Sequence, residues 1–295
     1  MRTFDAGDSL GARPRAQIAE YLNEIEDHEG AAQFASPMAS GQSAVFWGRK
    51  PWEHTAMVLG YIAPDAPPSA AVQGISSVQA DRTLINKRIK VTLDKFHVAD
   101  YPGMGVHSIL CEFVGKNQVP NETEELSFAL RCQARDNAAA SIAGAPIFMG
   151  LTLGRDGISF KGRTVNVQSS TDEKILATFD TPAFKNGLAL LSTAQPALKP
   201  LAGLAAAAVE TTISRRRNVQ VHSFDLGLDF EGGATSARLR TGSYLVVQSD
   251  DGAAWDWTQF RWNADGHSLV NIDPAAGPVN FNYMVFGVSR FSDEP

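Results

Sequence analysis

From Arg88 onward the hydrophobic positions recur every second residue. Ile89, Val91 and Leu93 alternate with Lys90, Thr92 and Asp94; then come Ile109, Cys111 and Phe113, and after them Leu126, Phe128, Leu130 and Cys132. Strict alternation gives each segment one apolar face, which predicts half-buried β-strands. Pro146–Leu153, Thr164–Gln168 and Lys174–Asp180 are further strand candidates, and turn residues at 154–157 and 169–172 separate them. Later, Phe224, Leu226, Leu228 and Phe230 alternate with the polar or small positions His222, Asp225, Gly227 and Asp229. Leu239–Gln248 and Trp255–Trp262 follow, and Asp265-Gly266 favours a hairpin turn. The last segment, Val279–Phe291, carries Phe281, Tyr283 and Val285 on one face and Met284, Phe286 and Val288 on the other. Apolar residues on both faces predict a strand covered on both sides. About ten strands at this spacing predict a mainly β protein, an antiparallel β-sandwich rather than a doubly wound α/β fold.

One run breaks the pattern. Residues 183–217 hold the longest apolar, helix-favouring stretch, starting after Thr181-Pro182 and broken by Pro196. Thr181 is a natural N-cap, and proline at the first helical position loses no hydrogen bond. A second helix is expected from about Leu198 to Arg216. A helical pair packed on one face of the sheet, rather than a membrane-inserting hairpin, fits the residues best: Lys199 near the centre would cost roughly 2.5–3.5 kcal/mol in a bilayer. The run is one candidate for the second cover of the last strand. The basic trio Arg215, Arg216 and Arg217 suits the negative end of a helix dipole, and the same trio suits lipid phosphates or an acidic partner.

The first 85 residues read differently. Pro14–Ile25 predicts a short amphipathic helix with Ile18, Tyr21, Leu22 and Ile25 on one face, ending near His28-Glu29-Gly30. His54–Ala63 reads equally as strand or helix, and three prolines in 63–69 mark a linker or strap. The expected organisation is a helical and extended appendage over 1–85 and a sandwich over 86–295, with the helical insertion at 183–217. Deletion of residues 1–80 is then expected to leave the sandwich folded.

Composition narrows the function classes. A net charge of −6 argues against nonspecific nucleic-acid binding, which needs clustered Lys and Arg. The polar N-terminus has no signal-peptide core, and no uninterrupted apolar stretch reaches the length of a transmembrane helix. With two cysteines, Cys111 and Cys132, in no metal-ligand spacing, buried free thiols and a cytoplasmic location are expected.

The segment IKVTLDKFHVADYPGMGVHSILCEFVG, Ile89 to Gly115, resembles the first strand, loop and second strand of C2-type β-sandwich domains. The resemblance covers about 27 residues and implies a C2-like sandwich that binds membranes or proteins, often through calcium held by aspartates in its end loops. Asp100 stands in the matching loop, and Asp250, Asp251 and Asp256 lie in a later one; together they are the candidate calcium ligands. The later aspartates depart from the family's alternating pair, and the helical insertion departs from the simple module. Apart from calcium, no cofactor is expected.

Trp255 and Trp257, with Phe260 and Trp262 nearby, form the densest aromatic cluster, with the first two expected on one strand face and the others on the opposite face. Such indoles can anchor a partner protein. A hydrolytic site would need one of Cys111 and Cys132 beside His97, His107 or His222; no Gly-x-Ser-x-Gly elbow or metalloprotease motif is present. These readings favour a non-enzymatic interaction or scaffold module of a cytosolic multi-protein assembly, contacting a protein through Trp255, Trp257 and Arg215–Arg217. The alternatives are a membrane-associating or pore-forming effector using 183–217, and a hydrolase with an unrecognised site.

Overall fold

Alternation makes the strands, and breaks in alternation make the bends. The computed structural model describes residues 4–35, 49–119, 122–142, 144–168, 211, 217–231, 237–250 and 255–292. The expected helical pair at 183–217 and the strand candidate 174–180 lie outside these residues, apart from Thr211 and Arg217.

Two large sheets form an antiparallel sandwich. The strands are β1 (Ala56–Ile62), β2 (Ser69–Ala71), β3 (Gln73–Gly74), β4 (Arg88–Val98), β5 (His107–Val119), β6 (Glu122–Ala134), β7 (Ala138–Ala139), β8 (Ala145–Thr152), β9 (Ile158–Asn166), β10 (Val219–Asp229), β11 (Ala237–Arg238), β12 (Gly242–Ser249), β13 (Phe260–Asn263), β14 (Ser268–Asn271) and β15 (Tyr283–Arg290). One sheet runs β3-β1-β12-β15-β4-β7, with β8 also paired to β4; the other runs β11-β10-β9-β5-β6. Their facing sides bury one cluster, centred on Phe113, Phe160, Phe224 and Phe286, whose ring centroids lie 5.3–6.4 Å apart where they pair. Such edge-on and tilted pairs each add about 0.5–1.5 kcal/mol beyond burial. Gly162 makes room for them: a Cβ there would meet the Phe224 ring.

A third, small sheet, β14-β13-β2, lies on the outside of the seven-stranded one. It explains the two-sided last strand. In β15, Met284, Phe286 and Val288 belong to the inter-sheet core, whereas Tyr283 and Val285 belong to a second cluster with Leu245, Val247, Leu269 and Val72. The cover on that side is therefore a β-layer. Besides two register shifts between β4 and β8, two bulges set which side chains face inward. An extra residue near Asp94 in β4 shifts the phase between Leu93 and Phe96, and one near Val221 in β10 turns His222 to lie opposite Thr164.

The N-terminal residues join the same core. Helix α1 (Arg15–Glu24) buries Ile18, Tyr21 and Leu22 as expected. It does not run on to Gly30: Glu26 takes a positive φ of 67°, and Asp27 caps a second helix, α2 (His28–Ala35), by accepting from Gly30 N at 2.8 Å. Leu10, Leu22, Phe34 and Trp52 share the inter-sheet cluster. The ambiguous segment 54–63 contains β1, which pairs with β12 along its full length. Removing residues 1–80 would thus remove two strands, β1 and β3, from the seven-stranded sheet and β2 from the small one. Among the described residues, no helix is long and apolar enough to cross a membrane.

Candidate functional site

Three places bring chemistry-bearing side chains together. The first is a polar knot where β4, β12 and β15 come together. Asn282 Oδ1 accepts from Ala99 N at 2.8 Å and Asp100 N at 3.3 Å, while its Nδ2 donates to Gln248 Oε1 at 3.0 Å and to the Asp100 carbonyl at 3.1 Å. Gln248 Nε2 in turn donates to the carbonyls of His54 (2.6 Å) and Trp52 (3.2 Å). Two buried amides thus tie the Ala99–Asp100 loop to the segment before β1. Next to the knot, Lys50 pairs with Asp100 at 3.5 Å, and its neighbour Arg49 pairs with Asp250, which also meets His54 at 3.4 Å. Burial raises the Asp100 carboxyl above its usual range, and Lys50 offsets this in part. Burial would also raise Asp250, but His54 and Arg49 hold it below the usual range.

The Arg49-Lys50 dipeptide therefore connects two of the four candidate calcium ligands. The third, Asp256, accepts from Thr258 N (2.9 Å) and Thr258 Oγ1 (2.7 Å) and caps a single turn of 3₁₀-helix, which accounts for its lowered carboxyl. Asp251 lies outside the described residues. Among the described residues, no three His, Cys, Asp or Glu side chains converge as a metal-holding group.

The second place is between the large sheets. A cavity of ≈ 10 Å³ is lined by Phe96, Phe224, Val246 and Met284 and by the polar Thr164, His222, Gln248 and Asn282. These residues are buried. Among the described residues, Thr164 Oγ1 and His222 Nε2 have no partner in good hydrogen-bond geometry, although the buried Tyr101 hydroxyl lies beside Thr164. Burial pushes the His222 ring down to about 4, so it is neutral at pH 7. The alternation reading set His222 apart from Phe224, but the two stand two residues apart in unbroken register and so share the inner face. This row also keeps thiol and imidazole apart. Thr164 of β9 lies opposite His222 on one side and opposite Cys111 of β5 on the other. The Cys111 thiol is raised well above its usual range, first by its contact with Cys132 and then by burial. His107 Nε2 pairs with Asp136 Oδ1 at 2.9 Å, and His97 stacks on Tyr283 at 4.9 Å on the outer side of the seven-stranded sheet.

The third place is the aromatic layer. Trp257 begins a 3₁₀ turn, so strict alternation fails there. The expected opposite faces merge: Trp255 packs on Trp257 (5.3 Å), Phe260 (5.2 Å) and Phe281 (4.9 Å) in one cluster, with Trp262 against the same core. Trp257 lies over Gly60 of β1, where a Cβ would come within 2.7 Å of the indole. All five rings remain half-buried. They cover the outer side of the central sheet and keep part of their surface in water. Of the basic trio, Arg217 is exposed and its carbonyl accepts from Tyr21 OH at 3.4 Å; Arg215 and Arg216 lie outside the described residues.

No family model, curated protein or solved structure matches the chain.

The sequence reading missed Thr164, Gln248 and Asn282. Parity carries the signal for two of them: Gln248 shares phase with Tyr244 and Val246, and Asn282 with Met284 and Phe286, so each is a polar residue at an inward position.

Proposed function

We propose that this chain is a non-enzymatic interaction module of a cytosolic multi-protein assembly, with the Trp255–Trp257 layer as its contact surface. The observation that carries the reading is this half-exposed group of aromatics seated on a β-layer. Tryptophans fixed on a rigid base lose little entropy on binding and bury large area, which is the composition of interface hot spots. The burial of both thiols and the neutral, enclosed His222 also favour a binding role over nucleophilic chemistry.

The surface can be altered without touching the core, because Thr258, Gln259 and Arg261 are exposed beside the rings. Affinity purification of tagged full-length chain, followed by mass spectrometry, should recover a partner that Gln259→Lys and Arg261→Glu release while the circular dichroism stays unchanged. A partner retained by both variants, or no partner at all, would remove the reading.

A second reading, contact with a lipid surface, is favoured by the loop between β4 and β5. Met104 and Val106 there are 67% and 47% exposed. If the loop enters a bilayer surface, liposome flotation should lose at least half its bound fraction on Met104→Asp; no flotation of the unaltered chain ends this reading.

A further inference from the structure

We propose that the cavity between the two large sheets is a binding site for one water molecule, held between Thr164 Oγ1 and His222 Nε2. Its volume of ≈ 10 Å³ is about what a single water needs and too small for a larger guest. Its walls are mixed in a particular way. Phe96, Phe224, Val246 and Met284 offer nothing to hydrogen-bond, whereas the polar atoms come from both sheets. From the five-stranded sheet come two side chains that face each other across adjacent strands, Thr164 at 1% exposure and His222 at 7%. Each has an unpartnered polar atom, and both residues line the cavity. From the seven-stranded sheet comes Gln248, whose Oε1 accepts, among the described residues, from Asn282 and keeps a second lone pair. Three partners are the usual complement of a buried water.

The chemistry suits water rather than a direct bond. A neutral imidazole presents one donor and one acceptor nitrogen, and a hydroxyl can play either part. Water, which also donates and accepts, satisfies the two whenever it accepts from at least one of them, and its remaining O–H then donates to Gln248. The β10 bulge is what makes the site: if the register of Gln220 with Val165 ran on unbroken, Val221 would stand opposite Thr164 and the imidazole would face away. The site thus joins the two layers at a point where neither sheet's own ladder reaches. It is independent of the partner surface proposed above.

A crystal structure of the full chain, fine enough to show ordered solvent, tests the proposal together with oxygen-17 relaxation dispersion in solution. One water should lie within hydrogen-bond distance, about 2.7–3.2 Å, of both Thr164 Oγ1 and His222 Nε2. Thr164→Val, which keeps the shape and removes the hydroxyl, combined with His222→Leu should remove one long-lived water from the dispersion count. A dry cavity in the unaltered protein, xenon density filling it under pressure, or a water count unchanged in the double variant would each overturn the assignment. If the double variant does not fold, the unaltered crystal and its xenon control still decide.

Discussion

His222 carries a cost that depends on pH. Its folded form titrates at about 4, against an ordinary histidine value of about 6.5. Between those values the unfolded chain takes up a proton that the folded chain refuses, so stability falls as pH drops through this window. The loss reaches about 3 kcal/mol near pH 4, at 1.36 kcal/mol per unit. His97 is lowered to about 4 as well, by burial and then by Lys95, but it is only half-buried and adds less. Urea midpoints measured at pH 7 and near pH 4.5 should therefore separate in the unaltered protein and separate clearly less in His222→Gln, where only the smaller His97 contribution remains. Equal separation in both would show that His222 is not the source. A second residue-scale expectation concerns Glu112, fully buried, which accepts from Arg163 Nε at 2.8 Å and Nη2 at 2.6 Å. Arg163 also lies 4.4 Å over the Phe4 ring. Replacing Arg163 by Met removes two charge-assisted hydrogen bonds from a buried carboxylate and should cost about 3 kcal/mol in urea unfolding; the pairing was invisible in the sequence because Glu112 and Arg163 are far apart in it and meet only through the β5–β9 register.

Among the elements, the strands are the most legible. The alternation at 89–93, 109–113 and 126–132 maps directly onto β4, β5 and β6, because each has one face in the core. The two bulges were not legible, since a single inserted residue leaves the flanking pattern intact and only the partner strand reveals the shift. The same holds at 255–262. A short 3₁₀ turn rotates Trp257 and Phe260 to the same side, and aromatic spacing alone does not disclose it. The end of α1 was misplaced because the Ala- and Glu-containing residues beyond it are themselves good helix formers, and only the positive φ of Glu26 and the Asp27 cap divide them. Asp27→Ala should then cost about 1 kcal/mol, seen as a lower thermal midpoint. At Gly60 the close approach of Trp257 leaves no room for a methyl group. Gly60→Ala should cost about 1–3 kcal/mol as overpacking and shift the tryptophan emission; unchanged emission would mean that the indole does not rest there.

At the scale of the molecule, the layers are stacked three deep, with the seven-stranded sheet in the middle. The two-sided hydrophobicity of the last strand announced a second cover, but nothing local said whether helix or sheet supplies it. Likewise the candidate calcium ligands could be found by residue type, while the cations that meet two of them, Arg49 and Lys50, sit in a stretch with no pattern of its own. Because Leu22, Phe34 and Trp52 share a core with Phe286, the N-terminal helices and the sandwich are expected to unfold together. Far-UV circular dichroism and tryptophan fluorescence should give one coincident urea transition, and Phe286→Ala should lower both by about 3–5 kcal/mol. Two separated transitions would show that the appendage folds by itself.

The middle position of that sheet has an effect on assembly. A strand with one greasy side is punished for sliding along its neighbour by one residue, since the slide turns oil to water. β12 and β15 are greasy on both sides, so sliding merely exchanges one dry layer for another. What distinguishes the correct alignment is the pair of amides at their ends: only there can Asn282 reach both Gln248 and the backbone of Ala99. Those two polar side chains act as an alignment key for strands that hydrophobicity alone would let drift.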